Sequence, residues 1–186
     1  MTLQHPHVTV EEFEKVLAQP ENKDRLLELI NGEIVEKVPT EKHGELTLAL
    51  GAAIRAHVVK HKLGRVGVEI RHQLPTDKRN SRLPDISFIS GKRASVEHGS
   101  VRQMPDLAVE LMSPDDTLEE AKDKAHYYLL NGSQKVWLLD WKKKQIWVCT
   151  ADDEVVPNEG DTLDGGDVLP GFKLAVADIF ADPMGE

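Results

Sequence analysis

The sequence has few of the features that mark exported, disulfide-bonded or membrane proteins. Its 186 residues include a single cysteine, Cys149, so no internal disulfide can form and no second cysteine is present to bind zinc with it. No apolar run approaches the length of a membrane span, and residues 1–8 lack the basic start and the apolar stretch of a secretory signal. We therefore expect a protein of the cytoplasm that does not enter a membrane.

Positive charge is also scarce. The chain has 23 lysine and arginine residues against 32 aspartate and glutamate residues, a formal net charge of -9, whereas a protein that holds nucleic acid by bulk electrostatics normally needs a basic surface. Basic residues do cluster in the middle of the chain, at residues 60–65, 71–72, 78–82 and 92–93. Each cluster is ordinary solvated surface unless the fold brings several of them to one place.

The length and composition predict one domain. Hydrophobic residues make up 40% of the chain, which is enough for a real core, and 186 residues are too few for two comfortable domains. We therefore predict a single domain over residues 1–186, with its core over about 43–140. Near the N-terminus, the capping box Thr9–Glu12 opens a helix to about Ala18, and Asn31-Gly32 forms the turn of a hairpin.

The core elements follow from the spacing of apolar residues. This spacing is helical over residues 43–62, and a second capping box, Thr117–Glu120, opens a helix that runs to Leu130. Apolar runs bounded by turn residues predict strands at 66–74, 83–90, 106–112, 135–140 and 145–150. The core order is then helix, strand, strand, strand, helix, strand. This order indicates an α/β fold in which helices flank a mixed sheet, with a C-terminal β extension near residues 169–172.

Two carboxylates stand in these apolar strands. Asp85 follows Pro84 at the start of one strand, and Glu110 lies in the middle of the next. A buried carboxylate is costly unless a cation or hydrogen bonds compensate it, and a divalent metal shared by both is the simplest explanation, because Mg²⁺ is commonly held by one or two carboxylates and a substrate phosphate. The alternatives are structural: Asp85 caps a turn after Pro84, and Glu110 pairs with an arginine.

A lysine near such a metal would complete a phosphodiesterase site, since an ammonium group orients the nucleophile or stabilises charge on the phosphate. Lys122 and Lys124 both lie on the flanks of the buried stripe of the helix that follows Glu110. Helical periodicity does not choose between them, and either lysine can equally be a solvated surface charge.

Several ordered motifs together resemble the Uma family of restriction-endonuclease-like proteins, within the PD-(D/E)XK nuclease superfamily. The motifs are residues 82–89, residues 105–116, Lys124 with Tyr128, Gly132, residues 136–140 and residues 169–172. The resemblance runs from about Val8 to Phe180. It implies a restriction-endonuclease-like fold and an endonuclease that uses Mg²⁺ or Mn²⁺ to hydrolyse DNA. Met112 stands where the superfamily pattern has its lysine; in the Uma group that lysine lies on the helix, at the position of Lys124.

The resemblance also implies roles for individual residues. Asp85, Glu110 and the backbone carbonyl of Leu111 would hold the metal, and Lys124 matches the helix lysine better than Lys122 does. Glu28, at a recurring family position, is an additional candidate. The first core helix offers two more, His43 and Glu45, of which His43 ranks first. A homodimer would place two sites on opposite DNA strands. The alternative function is a catalytically inactive nuclease-fold module that binds nucleic acid or a partner protein.

Overall fold

The computed structural model describes residues 7–113, 116–182 and 184. The predicted lack of a secretory signal over residues 1–8 lies mostly outside these residues. The chain forms two compact units, one of residues 7–38, 70–83 and 96–104 and the other of residues 39–69, 84–95 and the described part of 105–186. Each unit is described by itself, and the assignment of residues 1–186 to one domain stays a prediction.

The first unit contains a helix and a hairpin. Its elements are α1 (Val10–Leu17), a short 3-10 helix (Pro20–Asn22), β1 (Leu26–Ile30) and β2 (Glu33–Lys37). The predicted capping box is present, because Thr9 and Glu12 bond each other's backbone N–H groups. The predicted Asn31-Gly32 turn is also present, with φ angles of 53° and 89° that suit a two-residue hairpin turn.

The second unit has the core order predicted from the sequence. Its elements begin with α2 (Glu41–His61), β3 (Gly64–Val68), β4 (Ile86–Ser90), β5 (Leu107–Leu111), α3 (Leu118–Leu130), β6 (Lys135–Asp140), β7 (Gln145–Cys149) and β8 (Glu154–Val155). Six strands form one sheet in the order β3-β4-β5-β6-β7-β8. Only β5 and β6 pair in parallel, and α3 supplies the crossover that a parallel pair requires. The α/β fold with a mixed sheet is therefore confirmed.

The two faces of this sheet carry different layers. Alternation turns Leu107, Val109 and Leu111 toward the face that α2 covers with its apolar stripe. The C-terminal segment contributes to this same core and contains β9 (Thr162–Asp164), β10 (Lys173–Ala175) and α4 (Val176–Phe180). The opposite face of β5 carries Ala108 and Glu110 and meets α3. The helices thus flank the sheet as predicted.

Several boundaries differ from the predicted ones for local reasons. The long helix ends at His61, because its C-cap Lys62 turns into the left-handed region with φ of 56° and the next strand begins at Gly64. A Cβ atom at Gly64 would lie 2.1 Å from the carbonyl oxygen of Ile89, so β3 packs here at a distance that only glycine allows. Strand β3 ends before Leu74 because Glu69 has a φ of 50°. No helix of the described residues is long and apolar enough to cross a bilayer.

Candidate active site

Asp85 lies at the point where β4 and β5 separate. Its side chain is fully buried, and its Oδ2 accepts a hydrogen bond of 2.6 Å from the N–H of Leu111. The carboxylate therefore takes the place of a backbone acceptor at the end of the β4–β5 ladder. The antiparallel register pairs Ile86 with Val109, so the next step along it brings Asp85 beside Glu110.

His43 contacts the same carboxylate from the first turn of α2. Its Nε2 lies 3.2 Å from Oδ2 of Asp85, and its Nδ1 lies 3.5 Å from Oγ1 of Thr47. The helix start is fixed by Thr40, whose hydroxyl accepts the backbone N–H of His43. The imidazole of His43 therefore bridges the carboxylate of Asp85 and the hydroxyl of Thr47.

Glu110 is buried on the other face of β5, where it meets α3. Its Oε1 accepts a hydrogen bond of 2.8 Å from the hydroxyl of Tyr128, and only 3% of the glutamate and 1% of the tyrosine are exposed. The sequence motif of Lys124 with Tyr128 did not predict this bond. A tyrosine in an otherwise apolar helical stripe is the signal that indicates it, because a buried phenol needs a polar partner.

The side chain of Asp85 reaches the peptide unit that joins Glu110 to Leu111. The nitrogen that donates to Asp85 belongs to Leu111, and the carbon side of that peptide bond belongs to Glu110. Both acidic side chains are nearly inaccessible to solvent, and each accepts a hydrogen bond from the protein. Carboxylate oxygens are donors of the kind that Mg²⁺ and Mn²⁺ bind.

The two candidate lysines have different surroundings on α3. The Nζ of Lys122 forms an ion pair of 2.7 Å with Glu154 of β8, and the two side chains are 41% and 37% exposed. Lys124 is half-buried and precedes Tyr128 by four residues, so it lies on the same side of the helix as the tyrosine that contacts Glu110. Its charge also helps to lower the pKa of Glu120, after the larger contribution of hydrogen bonds from Thr117.

The remaining candidates lie in different environments. Glu45 is half-exposed, and its carboxylate pairs with Lys42 at 3.1 Å; of the two candidates on α2, the structure therefore places His43 and not Glu45 against Asp85. Glu28 belongs to the first unit, where its Oε1 accepts the N–H of Leu83 at 2.7 Å. Its Oε2 is buried with no hydrogen-bond partner among the described residues.

A charged arginine accompanies Glu28 within the first unit. The negative charge of Glu28 partly offsets the effect of burial, which lowers the pKa of Arg71. The guanidinium of Arg71 also donates to the carbonyl of Leu27 at 2.8 Å and to the hydroxyl of Ser81 at 3.3 Å. The bond from Leu83 and the Coulombic attraction to Arg71 give a structural account of Glu28 that needs no ligand.

Side chains alone do not form a metal cage in the part of the chain that the structure describes. Within residues 7–113, 116–182 and 184, no group of three or more histidine, cysteine, aspartate and glutamate side chains has the geometry to hold a metal ion. A magnesium site does not need such a cage, because Mg²⁺ usually keeps several water molecules and takes one or two carboxylates. The pair of Asp85 and Glu110 fits this more open type of site.

Comparisons with known proteins identify the family and the fold of this chain. The model of the Uma2 family, described as "Putative restriction endonuclease", matches residues 10–177. The crystal structure of a protein from Anabaena variabilis, described as a putative nuclease belonging to DUF820, superposes with a TM-score of 0.78 at 25% sequence identity. That match covers 93% of this chain and 97% of the other. No curated protein matches the chain. The family model spans most of the sequence, and the chain belongs to the Uma2 family of restriction-endonuclease-like proteins.

Proposed function

We propose that this protein is a Mg²⁺- or Mn²⁺-dependent endonuclease that hydrolyses phosphodiester bonds in DNA. The observation that carries the proposal is the hydrogen bond from the N–H of Leu111 to Oδ2 of Asp85, which brings the buried carboxylate of Asp85 to the peptide that follows Glu110. The side chains of Asp85 and Glu110 are the proposed metal ligands. The family and the nuclease-like neighbour support the same reaction class.

The backbone of Leu111 supplies a third proposed ligand. In an extended strand, the N–H and C=O groups of one residue point toward the same neighbouring strand. Because the N–H of Leu111 is directed at Asp85, its carbonyl oxygen is directed to the same side of β5. Two carboxylate oxygens and one carbonyl oxygen then form an oxygen-rich donor set, leaving the remaining positions for water and a substrate phosphate.

Each neighbouring side chain has a distinct proposed task. The bound metal ion would polarise the scissile phosphate and lower the pKa of an attacking water molecule. His43 holds Oδ2 of Asp85 in place, and Tyr128 orients the carboxylate of Glu110. Lys124 is the proposed catalytic cation that stabilises the negative charge of the transition state, because it lies one helical turn before Tyr128 and is only half-exposed.

Plasmid cleavage with added Mg²⁺ or Mn²⁺ tests this assignment. We expect the wild-type protein to nick or linearise the plasmid and Asp85→Ala and Glu110→Gln to lose that activity. Glu45→Gln is the control, since its carboxylate is half-exposed and pairs with Lys42. Equal cleavage by all four proteins would indicate a contaminating nuclease, and no cleavage by the wild type would contradict the proposal.

The lysines on α3 offer a matched pair. Lys124→Met should abolish most cleavage, whereas Lys122→Met should retain it, because the Lys122 ammonium pairs with Glu154 at the surface. Both substitutions remove one positive charge from the same helix and preserve most of the aliphatic length. Loss of activity in Lys122→Met alone would transfer the catalytic role to that residue.

One observation favours the alternative of an inactive nuclease-fold module. Met112 occupies the position of the superfamily lysine, and a methionine cannot act as a cation or a proton donor. Calorimetric titration with Mn²⁺ separates the two functions. Metal binding that disappears in Glu110→Gln supports the enzyme, and absence of metal binding in the wild type supports the module.

We also propose that two copies act together on duplex DNA, since paired sites can cut opposite strands. Light scattering at working concentration should then give the mass of a dimer. A monomer mass in both the absence and the presence of DNA would contradict this arrangement.

A further inference from the structure

Two basic clusters that are far apart in sequence come together in the second unit. Residues from the end of α2, the start of β3 and the segment after β4 line one hollow of about 320 Å³. Its cationic side chains are Lys62, Arg65, Lys92 and Arg93, and no acidic side chain lines it. The chain has a formal net charge of -9, so this hollow is locally positive on a protein that is negative overall.

Backbone contacts hold the two clusters together. The N–H of Gly91 donates to the carbonyl of Leu63 at 2.8 Å, which ties the end of β4 to the segment that follows α2. The guanidinium of Arg65 donates through Nε to the carbonyl of Arg93 at 2.7 Å. The cations are therefore brought together by the fold itself.

The charges in this hollow are not neutralised by the protein. Over the residues that the structure describes, none of these four cations forms an ion pair with an aspartate or glutamate. The Nε of Arg93 is buried without a hydrogen-bond partner among the same residues. Asp106 bonds the N–H of Ser90 nearby, but its other carboxylate oxygen accepts from the amide of Gln134. Like charges gathered without counter-charges repel one another, and a bound polyanion would remove that cost.

The basic hollow is distant from the acidic pair. Asp85 directly precedes β4 and Gly91 directly follows it, and six steps of an extended strand correspond to roughly 20 Å. The hollow therefore lies at the opposite end of this strand and is separate from the proposed metal site.

We propose that Lys62, Arg65, Lys92 and Arg93 form a second binding site for nucleic acid, which contacts the phosphate backbone of duplex DNA. Three of the four side chains are exposed, as phosphate contacts require, and their role is electrostatic and independent of base sequence. This site goes beyond the cleavage chemistry, since it binds DNA whether or not the acidic pair cleaves it.

Fluorescence anisotropy with a short labelled duplex, in EDTA so that no cleavage occurs, tests the proposal. The informative protein is the double variant with Lys62→Glu and Lys92→Glu. Both positions are exposed, and their replacement leaves in place the guanidinium of Arg65 that bonds the carbonyl of Arg93. The matched control is Lys15→Glu with Lys23→Glu, because Lys15 and Lys23 are exposed and lie in the first unit. Each lysine-to-glutamate substitution lowers the net charge by two units, so the two double variants change it by the same amount.

We expect the Lys62/Lys92 variant to bind more than about tenfold more weakly than the wild type near 50 mM salt. When the logarithm of its DNA affinity is plotted against the logarithm of the salt concentration, the slope should also be shallower by about 2, because each lost phosphate contact reduces the slope by about 1. The control should keep the wild-type slope. Because binding is measured in EDTA, a wild-type protein that binds DNA but does not cleave it would contradict the cleavage proposal alone, so the failures of the two proposals are distinguishable.

Several outcomes would overturn the inference. These are absence of DNA binding by the wild type, equal weakening in the two double variants, and an unchanged salt slope in the Lys62/Lys92 variant. Equally tight binding of a polyglutamate peptide would also overturn it, because the site would then recognise anionic polymers in general. Circular dichroism of each variant verifies that it is folded.

Discussion

The hydroxyl of Tyr128 donates to Oε1 of Glu110 across 2.8 Å, and both side chains are buried. This bond joins the helix that carries Lys124 to the strand that carries Glu110. The relative placement of the proposed catalytic cation and the proposed metal ligand therefore depends on one phenolic oxygen. A tyrosine in this position serves both packing and site geometry.

Replacing this tyrosine by phenylalanine should lower both stability and activity. Tyr128→Phe keeps the ring but removes a hydrogen bond to a buried carboxylate, which should cost about 1.5–3 kcal/mol of unfolding free energy. Urea denaturation measures this loss, and plasmid cleavage should fall in parallel. Tyr127→Phe, at a half-buried ring on the same helix, is the comparison. Equal effects in the two variants would contradict a specific role for Tyr128.

Replacing the histidine beside Asp85 should destabilise the second unit. His43→Leu leaves Asp85 with the N–H of Leu111 but without the imidazole that lies 3.2 Å from Oδ2. We expect a loss of about 1–3 kcal/mol, the cost of a buried group that lacks a partner. Denaturation in urea, with the exposed Glu45→Gln as a control within about 0.5 kcal/mol of wild type, checks this value. A stable His43→Leu protein would show that the imidazole does not support Asp85.

Replacing two different glycines by alanine should change the stability of the protein in opposite directions. At Gly64 a Cβ atom would lie 2.1 Å from the carbonyl oxygen of Ile89, so Gly64→Ala must move β3 away from β4 at a cost of about 1–3 kcal/mol. At Gly44, in helix α2, a Cβ atom meets nothing within 4 Å, and Gly44→Ala should stabilise the protein by about 0.5–1 kcal/mol. Thermal unfolding of both variants tests the pair. Similar shifts in melting temperature would contradict the close approach at Gly64.

The cap of α3 should make a contribution to stability that depends on pH. Hydrogen bonds from the backbone and hydroxyl of Thr117 lower the pKa of Glu120. A carboxylate whose pKa is lower in the folded state stabilises that state above the pKa it has when unfolded, and this contribution is lost as the pH falls through the folded value. Glu120→Gln should therefore be less stable than the wild type at neutral pH, and the difference should shrink in acid. Urea midpoints at several pH values measure it, and a constant difference would contradict the linkage.

Elements with local signals could be predicted from the sequence. Both capping boxes, at Thr9 and Thr117, are formed, because a cap depends on residues only three apart. The Asn31-Gly32 turn is also local, and the parallel pairing of β5 with β6 follows from the intervening helix. The short helix α4 was missed, since its five residues follow directly on β10 and give no cap signal.

Contacts between distant segments were less accessible to sequence reasoning. Periodicity left Lys122 and Lys124 equivalent, whereas in the structure β8 places Glu154 beside Lys122. The basic clusters at residues 60–65 and 92–93 were each consistent with ordinary surface, and the antiparallel pairing of β3 with β4 brings them together. The other two clusters, at residues 71–72 and 78–82, belong to the first unit.

The crossover between β5 and β6 also determines when the proposed site can form during folding. Parallel strands cannot pair until the segment between them has folded back, and pairings between distant residues are slow to form. Glu110 ends up bonded to Tyr128 of that same segment, so docking of α3 completes the centre of the sheet and the surroundings of Glu110 in one event. A nascent chain that stops before Lys135 would therefore lack β6, which delays assembly of the proposed site until the sheet has closed.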